Sequence, residues 1–308
     1  MVKQHSRLYT AVLIAALVLI WGVSWPIYKI ALNYTPPVLF AGMRTFLGGL
    51  MLALVALPRR KQIRLKENAK IYSISALFNV LLFFGLQTIG LTYLPGGLFS
   101  VLVYLQPVLV GLLAWLWLGE AMSLPKIAGL LLGFAGVAVI SADGLGDNLS
   151  ATGIVLALLT AVCWAFGAVY LKKDGGKADP LWLVSIQSMT GGAILTAIGS
   201  CAESWTSIVW NGYYLSGLLF GVILGVPTAW VIYFILVRSG EASKVATSTF
   251  LTPLISVIAS TLFLHEPFHA LLLVGIVMIV LSIYLVNRKG GRSVSADGLT
   301  GTPGRKAV

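Results

Sequence analysis

Ten long apolar stretches alternate with short polar segments along the chain, and a helix needs about 20 mostly apolar residues to cross a bilayer. Prolines 37, 125, 180 and 267 stand at or just before the first turn of four of these stretches, where a missing N–H costs nothing. The pattern therefore predicts ten transmembrane helices, over residues 8–32, 37–57, 71–93, 96–118, 125–142, 151–171, 181–200, 213–237, 244–264 and 268–287.

Part of the first half of the chain recurs in the second half. Residues 39–52 (LFAGMRTFLGGLML) match residues 182–195 (WLVSIQSMTGGAIL), and Pro107 matches Pro253 at the same distance from a following glutamate. Five predicted helices fall in each half. Because five is an odd number, the second copy must enter the membrane in the opposite direction from the first.

Two copies of opposite orientation are typical of secondary transporters, which bind their substrate between the copies. We therefore predict an all-α membrane protein with ten transmembrane helices, arranged as two inverted five-helix repeats. The first repeat covers residues 8–142 and the second covers residues 151–288. The Gly/Ser-rich, basic segment 289–308 is predicted to be a disordered cytoplasmic tail.

The composition indicates that lipid is the main solvent of this chain. It is 58% hydrophobic and only 10% charged, whereas a soluble domain has about 25% charged residues. The net charge is +11, and every Lys and Arg except Lys29 and Arg44 lies on one side of the predicted topology. By the positive-inside rule, both termini are cytoplasmic and the protein lies in the cytoplasmic membrane. No nucleic-acid motif is present, so we expect membrane lipid and not nucleic acid as a partner.

The sequence lacks the motifs of most enzymes. It has no phosphate-binding loop, no acid deep in a predicted helix, and no nucleophile and base at one depth. His265, Glu266 and His269 match a zinc-protease pattern in letters, but Pro267 interrupts the helix that this pattern requires. We therefore expect no enzyme activity, no cofactor and no metal site, and we expect Glu120 and Glu266 to cap or bridge helix ends.

Three short motifs resemble those of one transporter family. They are Trp21-Gly22, the stretch from Pro107 to Gly119-Glu120, and the stretch from Pro253 to His265-Glu266. In this order and spacing they are similar to the EamA family of the drug/metabolite transporter superfamily. The resemblance implies a central cavity between helices 1, 3, 4, 6, 8 and 9, and the export of amino acids and other small metabolites. Gln106 stands where the aromatic-amino-acid exporters of this group carry tryptophan, which argues against an aromatic substrate.

Arg44 is the candidate binding residue with the most specific chemistry. It lies about two turns inside the second predicted helix, where a charge costs roughly 2.5–3.5 kcal/mol on insertion scales. We hypothesise that it faces the cavity and attracts a substrate carboxylate. The alternative is that it bonds backbone carbonyls at a kink or extends to the membrane surface.

The other candidates are polar or aromatic side chains inside the helices. The polar ones can bind substrate or a neighbouring helix, and the tryptophans can form a wall for an apolar or cationic ligand or simply pack. The predicted substrate-binding set is Trp21, Trp25, Arg44, Asn79, Gln87, Tyr104, Gln106, Trp164, Trp230, Thr249 and Thr252. Prolines inside helices are static kinks or hinges. The hinge candidates are Pro26, Pro107, Pro227 and Pro253.

The sequence as a whole predicts a secondary transporter that exports small metabolites, amino acids or related amphipathic compounds in particular, by alternating access. Its expected partners are a small-molecule substrate and membrane lipid, and it is either a monomer or a homodimer. Two alternatives stay open. The aromatic residues are compatible with efflux of drugs or toxic cations, although the lack of a membrane carboxylate opposes this. The protein could also be a membrane sensor that binds a ligand without moving it.

Overall fold

The chain folds into helices in the computed structural model, which describes residues 7–119, 123–143, 150–174, 178–236, 251–266 and 270–287. Besides short 3-10 helices at Leu57–Gln62 and Trp205–Ser207, ten long helices are present in these residues. They are α1 (Arg7–Ala31), α2 (Pro37–Ala56), α3 (Leu65–Tyr93), α4 (Gly96–Leu118), α5 (Leu124–Asp143), α6 (Ala151–Asp174), α7 (Pro180–Ala202), α8 (212–236), α9 (Leu251–Leu264) and α10 (Ala270–Asn287).

Seven helices are long and apolar enough to cross a membrane within the described ranges, namely α1, α2, α3, α4, α6, α7 and α8. The apolar parts of the other three are shorter there, at Leu124–Gly136, Leu251–Leu264 and Ala270–Ser282. Within the described ranges the helices overlap the predicted stretches, and one boundary differs clearly. Helix α3 begins at Leu65 rather than at residue 71. Its first two turns are polar, so they lie outside the apolar stretch from which the helix was predicted. The predicted start of the ninth helix at residue 244 and the predicted tail 289–308 lie outside the described ranges.

Helices α3 and α8 share an unusual feature. Each is α-helical at both ends and π-helical in the middle, over Ala76–Leu82 in α3 and over Gly221–Thr228 in α8. The π-helix is rare and is often found at functional sites. The two segments occupy comparable places in the third helix of each half.

Helix α4 is interrupted rather than continuous. Its two parts, Gly96–Val103 and Gln106–Leu118, are separated by Tyr104 and Leu105. Pro107 explains the break, because it has no N–H to donate to the carbonyl of Val103 and its ring clashes with the preceding turn.

The main packing contacts join helices of opposite halves. Helix α2 packs along α7, α5 along α10, α3 beside α6, α4 beside α6 and α9, and α1 beside α8 and α9. If each helix of the first half is exchanged with its counterpart in the second half, this set of pairs is unchanged. The pair α1–α8, for example, becomes α6–α3.

Glycines allow α2 and α7 to approach each other closely. A Cβ atom added to Gly42, Gly49 or Gly192 would lie 2.4–2.7 Å from a backbone nitrogen of the facing helix. Small residues at the interface are what lets membrane helices associate, since lipid tails provide no hydrophobic force between helices.

Two glutamates cap helices of the first half from helix ends of the second half. The Glu203 carboxylate accepts hydrogen bonds from the backbone N–H groups of Val38 and Leu39 at 3.0 and 2.8 Å. The Glu266 carboxylate accepts from Gly96 and Gly97 at 2.7 and 3.1 Å. Negative charge at a helix N-terminus is favourable because of the helix dipole. The predicted capping role of Glu266 is confirmed, whereas Glu120 lies outside the described residues.

Candidate functional site: an aromatic cavity between the halves

A cavity lies where α1, α3, α4, α6 and α8 meet. The space free of atoms between its lining residues, its opening included, is about 410 Å³. Eight of the eleven lining residues are aromatic. The lining consists of Trp21, Ser24, Trp25, Tyr28, Phe83, Phe84, Gln87, Tyr104, Trp164, Gly225 and Trp230.

Two tryptophans from equivalent places in the halves meet at this cavity. Trp21 and Trp164 pack edge to face with ring centres 6.0 Å apart. Trp164 also contacts Phe83 at 5.3 Å and Tyr104 at 5.8 Å, and Trp21 contacts Trp230 at 6.3 Å. Edge-to-face pairs are favourable for aromatic rings, so the two halves are joined here by a connected aromatic wall.

Helix α1 contributes one face to the cavity. Its residues Trp21, Ser24, Trp25 and Tyr28 are spaced three and four apart, which puts all of them on the same side of a helix. The sequence interpretation named the two tryptophans and missed Ser24 and Tyr28. The helical spacing from Trp21 was the signal that could have found them.

The uncharged polar groups of the cavity lie near its aromatic wall. The Ser24 hydroxyl donates to the Trp21 carbonyl at 2.8 Å. The indole N–H of Trp25 is buried and has no hydrogen-bond partner among the described residues. Gln87 completes the set on α3, and none of the described lining residues is acidic or basic. The lining therefore suits a ligand with an apolar body and one polar end.

Arg44 lies behind this wall, on α2, and is fully buried. Its Nη2 atom donates to Gln87 Oε1 and to Thr88 Oγ1, both at 3.0 Å. Its Cζ atom lies 4.1 Å from the ring centre of Tyr28 and 4.9 Å from that of Phe84. Arg44 thus contacts three lining residues from outside the cavity, and its hydrogen bonds go to side chains, not to the backbone carbonyls that the sequence left as an alternative.

A family comparison agrees with this architecture. Both halves of the chain match the model of the EamA-like transporter family, over residues 8–142 and 151–288. The chain belongs to the EamA-like transporter family. It is therefore a multi-pass membrane transporter, and the family resemblance inferred from the three short motifs is confirmed.

Similar proteins align over nearly the whole of this chain. A protein of Bacillus subtilis (strain 168), named uncharacterized transporter YvbV, is 54% identical over 287 residues, which are 93% of this chain and 94% of that protein. The probable amino-acid metabolite efflux pump of Escherichia coli (strain K12) is 24% identical over 293 residues, 89% of this chain and 93% of that one. A crystal structure with 19% sequence identity has the same fold, with a TM-score of 0.65 over 91% of this chain and 96% of that chain.

Asn79 belongs to a polar cluster that is separate from the cavity. Its side-chain nitrogen donates to Ser75 Oγ at 3.0 Å, and the Ser75 hydroxyl donates to Gln187 Oε1. Asn79 also fills the space that a side chain on Gly167 would occupy, since a Cβ atom there would lie 1.9 Å from Asn79 Oδ1. The cluster joins α3, α6 and α7, and Asn79 is not among the residues that line the cavity.

Three further candidates lie outside the cavity lining or outside the described ranges. Gln106 is buried at the start of the second part of α4. Thr252 is fully buried in α9, and its hydroxyl has no hydrogen-bond partner among the described residues. Thr249 lies outside the described residues. Their roles in substrate binding stay predictions.

The four hinge candidates differ in their local structure. Pro26 lies inside the uninterrupted helix α1, and Pro107 lies just after the break in α4. Pro227 lies in the π-helical part of α8, and Pro253 is the third residue of the described part of α9. The break and the π segment are places where a helix bends readily. Motion at all four positions stays a prediction.

Proposed function

We propose that this chain exports small amphipathic metabolites, amino acids or related compounds, across the cytoplasmic membrane by alternating access. The observation that carries the proposal is the cavity between the halves, which has an aromatic wall and a few uncharged hydrogen-bonding groups. Such a site suits a small molecule with one apolar and one polar end. The substrate's own gradient or a coupled ion would supply the driving force.

Alternating access requires two halves that can rock about a shared site. The contact pairs between helices, which are unchanged when the halves are exchanged, support two inverted five-helix repeats. The π segments at comparable places in α3 and α8 support the same arrangement. The distribution of Lys and Arg supports cytoplasmic termini.

The relative in Escherichia coli, named probable amino-acid metabolite efflux pump, supports amino acids as the substrate class. Efflux of organic cations is the second candidate, because eight aromatic residues line the cavity and aromatic faces attract cations. A ligand sensor would bind at the same cavity without moving its ligand.

A metabolite survey separates these possibilities. Cells that overproduce the chain should accumulate a defined amphipathic metabolite in the medium, compared with cells that overproduce the Trp164→Ala variant at the same level. An unchanged medium together with increased resistance to organic cations would favour the second candidate. An unchanged medium without resistance would leave a sensor.

The Glu266 cap should stabilise the state of the protein that is closed on its outer side. Helix α4 lines the cavity through Tyr104, and Gly96 at its N-terminus lies close to Trp25 of α1 and Ser260 of α9. Hydrogen bonds to a charged group contribute about 1.5–3 kcal/mol and neutral ones about 1 kcal/mol. Glu266→Gln should therefore shift the protein toward an outward-open state by up to about tenfold.

The shift is measured with an impermeant thiol reagent added outside cells. The target is Ser24→Cys in a chain whose two native cysteines, Cys163 and Cys201, are replaced by alanine. Labelling should be faster with Glu266→Gln and unchanged with Glu203→Gln, which removes the equivalent cap from α2, a helix that does not line the cavity. Equal labelling rates in all three chains would show that the Glu266 cap does not stabilise the outward-closed state.

A further inference from the structure

Among the residues that the structure describes, no acidic side chain lies beside the buried cation of Arg44. Within the described ranges its Nε and Nη1 atoms have no hydrogen-bond partner. The ion pairs found among the described residues, Arg59 with Asp179 and Arg64 with Glu67, lie elsewhere. An uncompensated charge inside a membrane is expensive and is usually kept for a function.

Arg44 fixes the orientation of the Gln87 amide. A guanidinium group only donates hydrogen bonds, so Gln87 must turn its oxygen toward Arg44, which it does at 3.0 Å. Thr88 holds the guanidinium in place, because its hydroxyl donates to the Phe84 carbonyl at 2.7 Å and accepts from Arg44. The Gln87 NH₂ group is then the part of this lining residue that is left for a ligand.

Two residues of the lining carry hydrogen-bond donors that no hydrogen bond among the described residues uses. One is the NH₂ group of Gln87, and the other is the unpartnered indole N–H of Trp25, which lies on the facing helix α1. Both groups donate, and a carboxylate has two oxygens that only accept. The indole N–H of Trp25 is buried without a partner among the described residues, and such a donor favours a ligand that supplies the acceptor.

The electrostatic field in the cavity also favours a carboxylate. The described lining carries no charge of its own, and Arg44 is the charged side chain in contact with it. Lys29 and Glu266 lie together near the start of α4 and have opposite signs. In a low-dielectric site, a positive charge behind the wall favours an anion and disfavours a cation. The rings of Tyr28 and Phe84 already face the Arg44 guanidinium, so they are occupied by one cation.

We propose that Arg44 is a positioning residue that makes the cavity selective for a carboxylate. It turns the amide nitrogen of Gln87 toward the ligand and gives the aromatic site a positive potential. The matching substrates are small apolar compounds with a carboxylate group, with or without an ammonium group. This inference rests on the proposed transport function, and it excludes organic cations as substrates of the cavity.

Three probes with one branched carbon skeleton test the selectivity. Leucine has both charged groups, 4-methylpentanoate has only the carboxylate, and isopentylamine has only the ammonium group. Binding to the purified full-length chain is measured as thermal stabilisation over a concentration series. The two carboxylates should bind at least about tenfold more tightly than the amine, because placing like charges together is costly.

Variants on both sides of the hydrogen bond provide the decisive comparison. Arg44→Gln should remove the preference for carboxylates, whereas Arg59→Gln, which removes the same charge from an exposed side chain, should keep it. Gln87→Glu places a carboxylate between Arg44 and the ligand and should reverse the preference. This second variant keeps the test valid if Arg44→Gln does not fold. A general loss of structure would weaken all three probes together and would leave their ratio unchanged.

The inference is overturned if the wild-type chain binds isopentylamine as tightly as 4-methylpentanoate, if it binds neither carboxylate, or if both variants bind leucine as tightly as the wild-type chain does and keep the wild-type ratio. Failure of the transport proposal looks different. In that case the carboxylates still bind with the expected preference, but proteoliposomes that contain the chain move none of them.

Discussion

A Gly225→Ala substitution should lower substrate exchange by about tenfold or more, and adding Tyr28→Phe to the same chain should restore much of it. A Cβ atom on Gly225 would lie 2.0 Å from Tyr28 Oη. The tyrosine ring is held on its other sides by Arg44, Phe40 and Phe220, at 4.1, 5.8 and 6.0 Å. It must therefore tilt into the cavity, where it takes up space that the ligand needs.

The rescue depends on the hydroxyl group alone. Without it, the nearest ring atom of residue 28 lies 3.3 Å from the same Cβ position, which a small shift accommodates. Gly212→Ala, on the same helix with no atom within 4 Å of the added group, should exchange at the wild-type rate. The measurement is the initial rate of leucine exchange per folded protein in proteoliposomes. A double variant as slow as Gly225→Ala would show that the Tyr28 hydroxyl is not the obstacle.

A Gly192→Ala substitution should lower the midpoint of thermal unfolding by several degrees, although alanine is the better helix former. The added Cβ atom would lie 2.4 Å from the backbone nitrogen of Phe46 and 2.8 Å from its Cα atom. Backbone atoms cannot rotate aside as a side chain can, so α2 and α7 must separate. Overpacking of this kind costs about 1–3 kcal/mol, which exceeds the gain of at most about 1 kcal/mol in helix propensity.

Gly212→Ala serves as the matched control for stability. Gly212 is the first residue of α8 and the added group meets nothing there, so the midpoint should stay equal to that of the wild type or rise. Unfolding is followed in detergent with the full-length chain. If Gly192→Ala were as stable as the control, the close approach of α2 and α7 would not be what holds these two helices together.

Most helices of this protein could be predicted from the sequence because each apolar stretch ends at a polar or proline-containing segment. Helix α3 shows the limit of that reasoning. Its first turns contain Lys66, Glu67 and Lys70, which are helical but lie before the apolar stretch. The π segments of α3 and α8 were not predicted either, because the apolar pattern of a stretch is the same whether its hydrogen bonds are α-helical or π-helical.

The candidate site was predictable where function needs an unusual residue inside a helix. Trp21, Trp164 and Gln87 were named for that reason, and all three line the cavity. Phe83 and Phe84 were not named, because in the sequence they cannot be told from phenylalanines that only pack. The position of Arg44 behind the wall depends on the rotation of α2 about its own axis, which neighbouring helices determine.

Exchange of labelled leucine in proteoliposomes tests the central claim, that this chain moves a small carboxylate through the cavity at Trp164. Proteoliposomes that contain the wild-type chain and are loaded with unlabelled leucine should transiently accumulate labelled leucine from outside. The Trp115→Ala variant should do the same, because it alters a tryptophan outside the cavity lining that is 43% exposed. Trp164→Ala removes the ring that contacts Trp21, Phe83 and Tyr104 and should exchange no faster than empty liposomes. Wild-type chain that exchanges neither leucine nor 4-methylpentanoate, or equal rates in the two tryptophan variants, would contradict the account.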